Sequence, residues 1–166
     1  MNVKKVSNLS IFLALSIVLS IIESFIIITN VIPGVKIGIA NIVILMVLYI
    51  YGSKDAVVIS ILRVFIVGLL RTGIFSINFF FSLSGAIISI ISMSSLKKIT
   101  KLSMVGISIV GATAHSIGQL LFATFFVKSV AILLYAPAII IISVISGIIT
   151  GLISKYLMKY IEKEIV

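Results

Sequence analysis

Cysteine is absent from this chain of 166 residues, and carboxylates are nearly so. Without cysteine there is no disulfide, no thiolate metal ligand, no cysteine nucleophile and no thiol redox couple. The four acidic residues are Glu23, Asp55, Glu162 and Glu164, and only Glu23 falls within a long apolar run. Paired catalytic carboxylates are therefore not expected. The single histidine, His115, lacks both an acid to complete a Ser–His–Asp triad and companions for a metal site. No Gly-x-x-x-x-Gly-Lys phosphate loop is present, so energy from ATP has to come from a partner. The expectation is a protein that is not an enzyme, with no metal and no cofactor.

Charge as a whole is scarce. Only 10 % of residues are charged and 61 % are hydrophobic, with a mean hydropathy of +1.43. An average soluble domain is about 25 % charged. At this length a folded domain leaves roughly 30 % of its unfolded surface exposed, and so few charges cannot cover that area in water. A soluble globule is excluded, as is a disordered chain. One integral membrane domain over residues 1–166 is expected. What charge there is has one sign: 13 Lys and Arg stand against 4 Asp and Glu, a net charge of +9. In a soluble protein that excess points to nucleic acid. Here the basic residues sit at the ends of apolar runs, where they set topology and face anionic lipid head groups. No nucleic-acid partner is expected.

A spanning helix needs about 20 mainly apolar residues. Six apolar segments emerge, at residues 7–29, 37–51, 54–71, 76–96, 102–127 and 129–159. The breaks between them fall at Pro33-Gly34, Gly52-Ser53, Thr72-Gly73, the basic stretch Lys97 to Lys101, and Lys128. The second segment is short for a span, so it starts below the membrane surface or tilts. Pro137 kinks or shortens the start of the sixth. The runs do not alternate polar and apolar residues, which excludes a β-barrel. Lys4 and Lys5 before the first run give a superficial likeness to a signal peptide. The run is too long for one and no small-residue cleavage site follows, so a retained helix is expected. The fold expected is all-α, a polytopic bundle of six transmembrane helices. With the N-terminus inside, nine basic residues lie at inner ends and loops (Lys4, Lys5, Lys54, Lys97, Lys98, Lys101, Lys155, Lys159, Lys163). Three lie at outer ends (Lys36, Arg71, Lys128). The positive-inside rule then puts both termini in the cytoplasm.

Helices in lipid associate through small residues that let backbones approach. Ser143, Gly147 and Gly151 form such a row, as do Ala112 with Ser116, Ala114 with Gly118, and Gly85 with Ser89. These are read as packing inside the bundle. Ser10 and Ala14 on the first helix are open to a second use, as a face for docking a partner.

Polar groups at membrane depth are costly, so by default they mark function or a buried network. In the assigned topology Glu23, Lys36, Asn41, Arg71, Asn78, His115 and Gln119 lie in the outer half, and Arg63 lies near the middle. The inner half holds little that is polar beyond Ser and Thr. This asymmetry points to a polar pocket open to the outside and closed below by apolar packing. Arg63 needs an acceptor, and two readings stand side by side: a structural bridge to Glu23, or a ligand role. Lys36 and Arg71 either snorkel to the interface or join Arg63 in holding an anionic ligand such as a carboxylate or phosphate. Arg63 and Arg71 are eight residues apart, about 80° around an ideal helix, so spacing alone does not make a pocket. His115 and Gln119, four apart, share one face of a helix; they either bond to each other or line the same site.

Three stretches carry a resemblance. Pro33-Gly34-Val35-Lys36-Ile37-Gly38-Ile39-Ala40-Asn41, then Leu62-Arg63-Val64, then His115-Ser116-Ile117-Gly118-Gln119 resemble the Gx transporter family, also labelled heptaprenyl diphosphate synthase component I. The likeness covers nearly the whole chain, in order and at similar spacing. The length and six-helix plan also resemble the substrate-binding S-components of energy-coupling-factor (ECF) transporters. The resemblance implies a protein of a bacterial plasma membrane. The S-component likeness implies capture of a scarce small molecule and docking, through a small-residue face on the first helix, onto a membrane coupling subunit with two ATPases. The corresponding face here has Ser10 and Ala14 rather than two alanines. The synthase label implies instead an accessory component of prenyl diphosphate and quinone synthesis beside a prenyltransferase. The aspartate-rich motifs of such an enzyme are missing, so catalysis of that step is not implied.

Overall fold

A computed structural model of the chain describes residues 3–25 and 38–165. Among them there is no strand. Six α-helices follow in chain order: α1 (Val3–Phe25), α2 (Ile39–Ile50), α3 (Ser53–Val67), α4 (Ile77–Ile99), α5 (Met104–Val127) and α6 (Ala136–Ile165). A π-helical turn, Gly68–Thr72, extends α3, and a 3₁₀ segment, Val130–Tyr135, leads into α6. Local chemistry places several starts. The hydroxyl of Ser76 accepts from the Phe79 N–H at 3.1 Å and opens α4. Ser103 does the same for α5, accepting from Gly106 at 3.2 Å. Pro137 is the second residue of α6, where a missing N–H costs nothing, and the α-helix starts at Ala136, short of the start expected at residue 129.

The last helix is inside out relative to one in a water-soluble protein. On α6 the buried stripe is Ile139, Ser143, Ser146, Gly147, Thr150, Gly151, Ser154 and Met158, at helical spacing. Its exposed faces carry Ile140, Ile141, Ile145, Ile149 and Leu152. Small and hydroxyl-bearing residues inside with branched aliphatics outside suit a bilayer as solvent. Among the described residues four helices are long and apolar enough to cross one: α1, α4, α5 and the run Val130–Ile161. The sequence predicts six spans; α2 and α3 fall below that length on their own. At 12 residues, α2 measures about 18 Å, against a hydrocarbon core of about 30 Å.

Close packing joins α4, α5 and α6. A Cβ on Gly147 would lie 2.6 Å from the Cα of Ile109, and one on Gly151 would lie 2.8 Å from the Cα of Val105. Across the same seam Ser108 bonds Thr150 at 2.9 Å and Ser116 bonds Ser143 at 2.6 Å. Ser89 donates to the Gly111 carbonyl at 2.8 Å, tying α4 to α5. The rows of small residues predicted as packing surfaces on these three helices do face one another.

The short α2 sits in the middle. It contacts α1, α3, α5 and α6, and every residue from 42 to 48 is buried. Its C-terminal end lies with the basic end of the bundle. There the Lys97 ammonium donates to the Leu48 carbonyl at 2.7 Å and lies 4.4 Å from the Tyr49 ring centroid. Lys5 pairs with Asp55 at 2.7 Å, and Asn8 donates to the Tyr51 hydroxyl at 3.1 Å. The first turns of α1 and α3 and the last turns of α2 and α4 thus share one end. Because α2, at 12 residues, is shorter than every helix that packs on it and about half the length of α1 and α5, its N-terminus stops partway up the bundle, at the level of an open space.

Candidate functional site

That space is a cavity of about 320 Å³. Its floor is the N-terminus of α2, with Gly38, Ala40 and Asn41 facing into it. Below the floor the apolar side chains Ile42 to Leu48 pack with Phe12, Ile59, Ile90, Met93 and Ile107 and close the bundle toward the lysine end. Residues from all six helices line the walls. Among them are Glu23, Asn41, Arg63, Arg71, Asn78, His115 and Gln119, which the sequence singles out by depth. Lys36 lies outside the described residues.

Arg63 is buried on α3, and its Nη1 donates to the Asn41 side-chain oxygen at 3.2 Å. Glu23 is buried near the end of α1, and its carboxylate accepts from the backbone N–H of Gly38. Gly38 supplies that N–H from a left-handed conformation, φ 77°, which a side chain would strain. A Glu23–Arg63 bridge is one of two readings of the sequence; among the described residues no contact ion pair joins them, the two charges act on each other across the cavity, and each has a different neutral hydrogen-bond partner. Arg71 sits on the π-helical turn at the rim. It donates to the Ser24 carbonyl at 3.2 Å and lies 4.8 Å from the Phe25 ring centroid. Asn78, in the first turn of α4, is exposed at the same rim. The π turn also seats an aromatic wall: a Cβ on Gly68 would come within 2.6 Å of the Phe79 ring, so only glycine admits it.

On α5, His115 and Gln119 lie one turn apart. The imidazole of His115 packs against α4, where a Cβ on Gly85 would meet its Nε2 at 2.8 Å. Gln119 is 7 % exposed, and its amide nitrogen is buried without a hydrogen-bond partner among the described residues. In a cavity edged by Val64, Val67, Phe79 and Phe81, such a donor has a high cost until something accepts from it. Among the described residues the charges lining the cavity are two cations, Arg63 and Arg71, against one carboxylate, Glu23.

Other lining residues went unnoticed in the sequence. Ser20, Ser24, Ser82, Ser143 and Ser146 add hydroxyls, and Phe79 and Phe81 add ring faces. Serine is too common in this chain for depth to single any one out. Ser116 and Ser143 belong to the small-residue rows; they serve as packing and as cavity wall at once. Gly38 acts through its backbone, which no side-chain inventory reveals. Ser10 and Ala14 lie elsewhere, exposed on the outer face of α1. Ser10 turns its hydroxyl onto the Val6 carbonyl at 3.0 Å, which leaves that face apolar, beside Ile11, Leu15 and Val18.

A family model described as heptaprenyl diphosphate synthase component I matches residues 12–157. No curated protein and no solved structure matches the chain.

Proposed function

This chain belongs to the heptaprenyl diphosphate synthase component I family, and from that premise we propose that it is a membrane-embedded substrate-binding subunit of a small-molecule uptake system. It crosses the plasma membrane of a bacterium six times with both termini in the cytoplasm, and its cavity opens outward. The ligand is small and carries an anionic group, a carboxylate or phosphate. Uptake is driven by a coupling membrane subunit with two ATPases, as in the ECF transporters whose S-components the chain resembles, and the Ser10–Ala14 face of α1 docks there. The protein is a single membrane domain with no catalytic role of its own. The observation that carries this reading is Arg63: a permanent cation, 5 % exposed, facing a polar cavity and bound to a neutral asparagine. A guanidinium at that depth is costly and is suited to hold a planar anion. Native mass spectrometry of gently purified protein is the test. The wild-type chain retains a small anionic molecule and Arg63→Ala loses it, with uptake of that molecule falling in cells. An empty wild-type chain, with uptake unchanged in Arg63→Ala cells, sinks the reading.

The family's description favours a second reading, a non-catalytic accessory component that holds a prenyl diphosphate for a prenyltransferase. Arg63 and Arg71 then take the diphosphate. A seven-isoprene tail exceeds a cavity of about 320 Å³ and has to leave it between helices into lipid. Company separates the two: co-purification with ATPase subunits supports uptake, whereas co-purification with a prenyltransferase, and loss of long-chain product on deletion, supports the accessory role.

A further inference from the structure

The proposed function asks only for an anionic group on the ligand, and the charges in the cavity ask for more. Two of them are buried, Glu23 at 8 % and Arg63 at 5 % exposure, and both line the same space. Buried opposite charges normally compensate each other by pairing. Among the described residues no contact ion pair joins these two, although the Glu23 charge acts on Arg63 across the gap. Glu23 is anchored from α1 to the Gly38 N–H, and Arg63 from α3 to the Asn41 oxygen. A carboxylate offers about four acceptor positions and a guanidinium five donors, so each anchoring bond uses a small part of what the group presents. Gln119 adds a further donor from α5, its amide nitrogen buried and without a partner among the described residues. The cavity therefore presents donors and a cation from α3 and α5, and an acceptor anion from α1.

A plain anion meets only half of this arrangement. It gains Arg63 and Gln119, and the exposed Arg71 at the rim offsets part of its charge, but it leaves the buried Glu23 carboxylate without a cation in contact and adds a second negative charge to the same partly apolar space. A diphosphate does so with greater charge. A molecule carrying both signs meets all of it. Resting on the binding-subunit reading, we infer that the ligand is a small zwitterion of the amino-acid type. Its carboxylate is held by Arg63 and Gln119, its protonated amine by Glu23, and its apolar part lies against Phe79 and Phe81. The cavity, about 320 Å³, lies at the lower end of the usual range for ligand pockets, which suits a molecule of that size.

The test uses the full-length chain in detergent and a defined equimolar panel. The panel holds aromatic and aliphatic amino acids, the matching carboxylates without the amine, the matching amines without the carboxylate, and monophosphate esters. Retained compounds are identified by native mass spectrometry. The wild-type chain retains amino acids over both half-molecules and over phosphates. Glu23→Gln keeps an oxygen that accepts from the Gly38 N–H but loses the charge. It lowers amino-acid retention about tenfold or more and holds amine-free carboxylates at least as well as wild type. Glu23→Asp, which keeps the charge, preserves the amino-acid preference. Retention of amine-free carboxylates or phosphates in preference by the wild-type chain overturns the zwitterion and leaves the binding subunit standing. The same holds if Glu23→Gln does not alter the preference. Retention of no panel member by the wild-type chain overturns both. The wild-type preference alone decides the matter if Glu23→Gln does not fold.

Discussion

Gln119 illustrates how a site differs from packing at the level of one residue. A buried amide nitrogen without a partner among the described residues costs the ligand-free fold about 1–3 kcal/mol. Packing alone would favour leucine, which is apolar and similar in volume. Gln119→Leu is therefore expected to raise the melting temperature of the ligand-free protein while weakening retention of its ligand. Thermal melting with and without the bound molecule checks this, and a variant that is destabilised when empty refutes it. At this scale much of the site was legible. Glu23, Asn41, Arg63 and Gln119 stand out because an ionic or amide side chain in an apolar run has few reasons to be there. The partners were not legible. One sequence reading pairs Glu23 with Arg63 and the other gives Arg63 to a ligand; neither foresees that the fold gives Glu23 the N–H of Gly38 and Arg63 the oxygen of Asn41. A backbone N–H presented by one left-handed glycine is invisible to a count of charges.

At the level of helices, the small-residue rows and the lengths were legible and the arrangement was not. The row Ser143, Gly147, Gly151 announces a close crossing but not its partner, which is α5. The contact leaves no slack, because a single Cβ on Gly147 already meets the Ile109 backbone at 2.6 Å. Gly147→Leu is expected to force α5 and α6 apart, with a cost of about 1–3 kcal/mol or more, read as a lowered melting temperature. An exposed site on the same helix, Leu152→Ile, leaves it unchanged. The sequence also gives α2 as a short segment, but an all-round apolar helix reads the same whether lipid or protein surrounds it. Its central position comes from the fold: α1, α3, α5 and α6 all pack on it. That position makes the cavity, since the shortest helix, set among longer ones, leaves room at its N-terminal end.

For the whole molecule, the ends of the bundle differ in kind, and the difference bears on orientation. One end gathers Lys4, Lys5, Lys54, Lys97, Lys98 and Lys101, with Lys5 on Asp55 and Lys97 on the end of α2. The other end holds the cavity. Lysines retained on the cytoplasmic side leave the cavity facing outward, as uptake needs; were the bundle reversed, the same cavity would serve export or a cytoplasmic partner. The lack of cysteine makes this directly measurable, because any thiol introduced is the only one. Phe75, in the turn before α4 near the cavity rim, is 89 % exposed. Lys101, between α4 and α5 at the lysine end, is exposed too. In intact cells a membrane-impermeant maleimide is expected to label Phe75→Cys at once and Lys101→Cys only after permeabilisation. The opposite pattern would turn the cavity toward the cytoplasm. It would remove the uptake reading while leaving open a diphosphate-holding partner of a prenyltransferase, whose substrates are cytoplasmic. One labelling experiment thus bears on function as well as topology, because in this fold the polar cavity and the basic end are fixed at opposite ends of the same six helices.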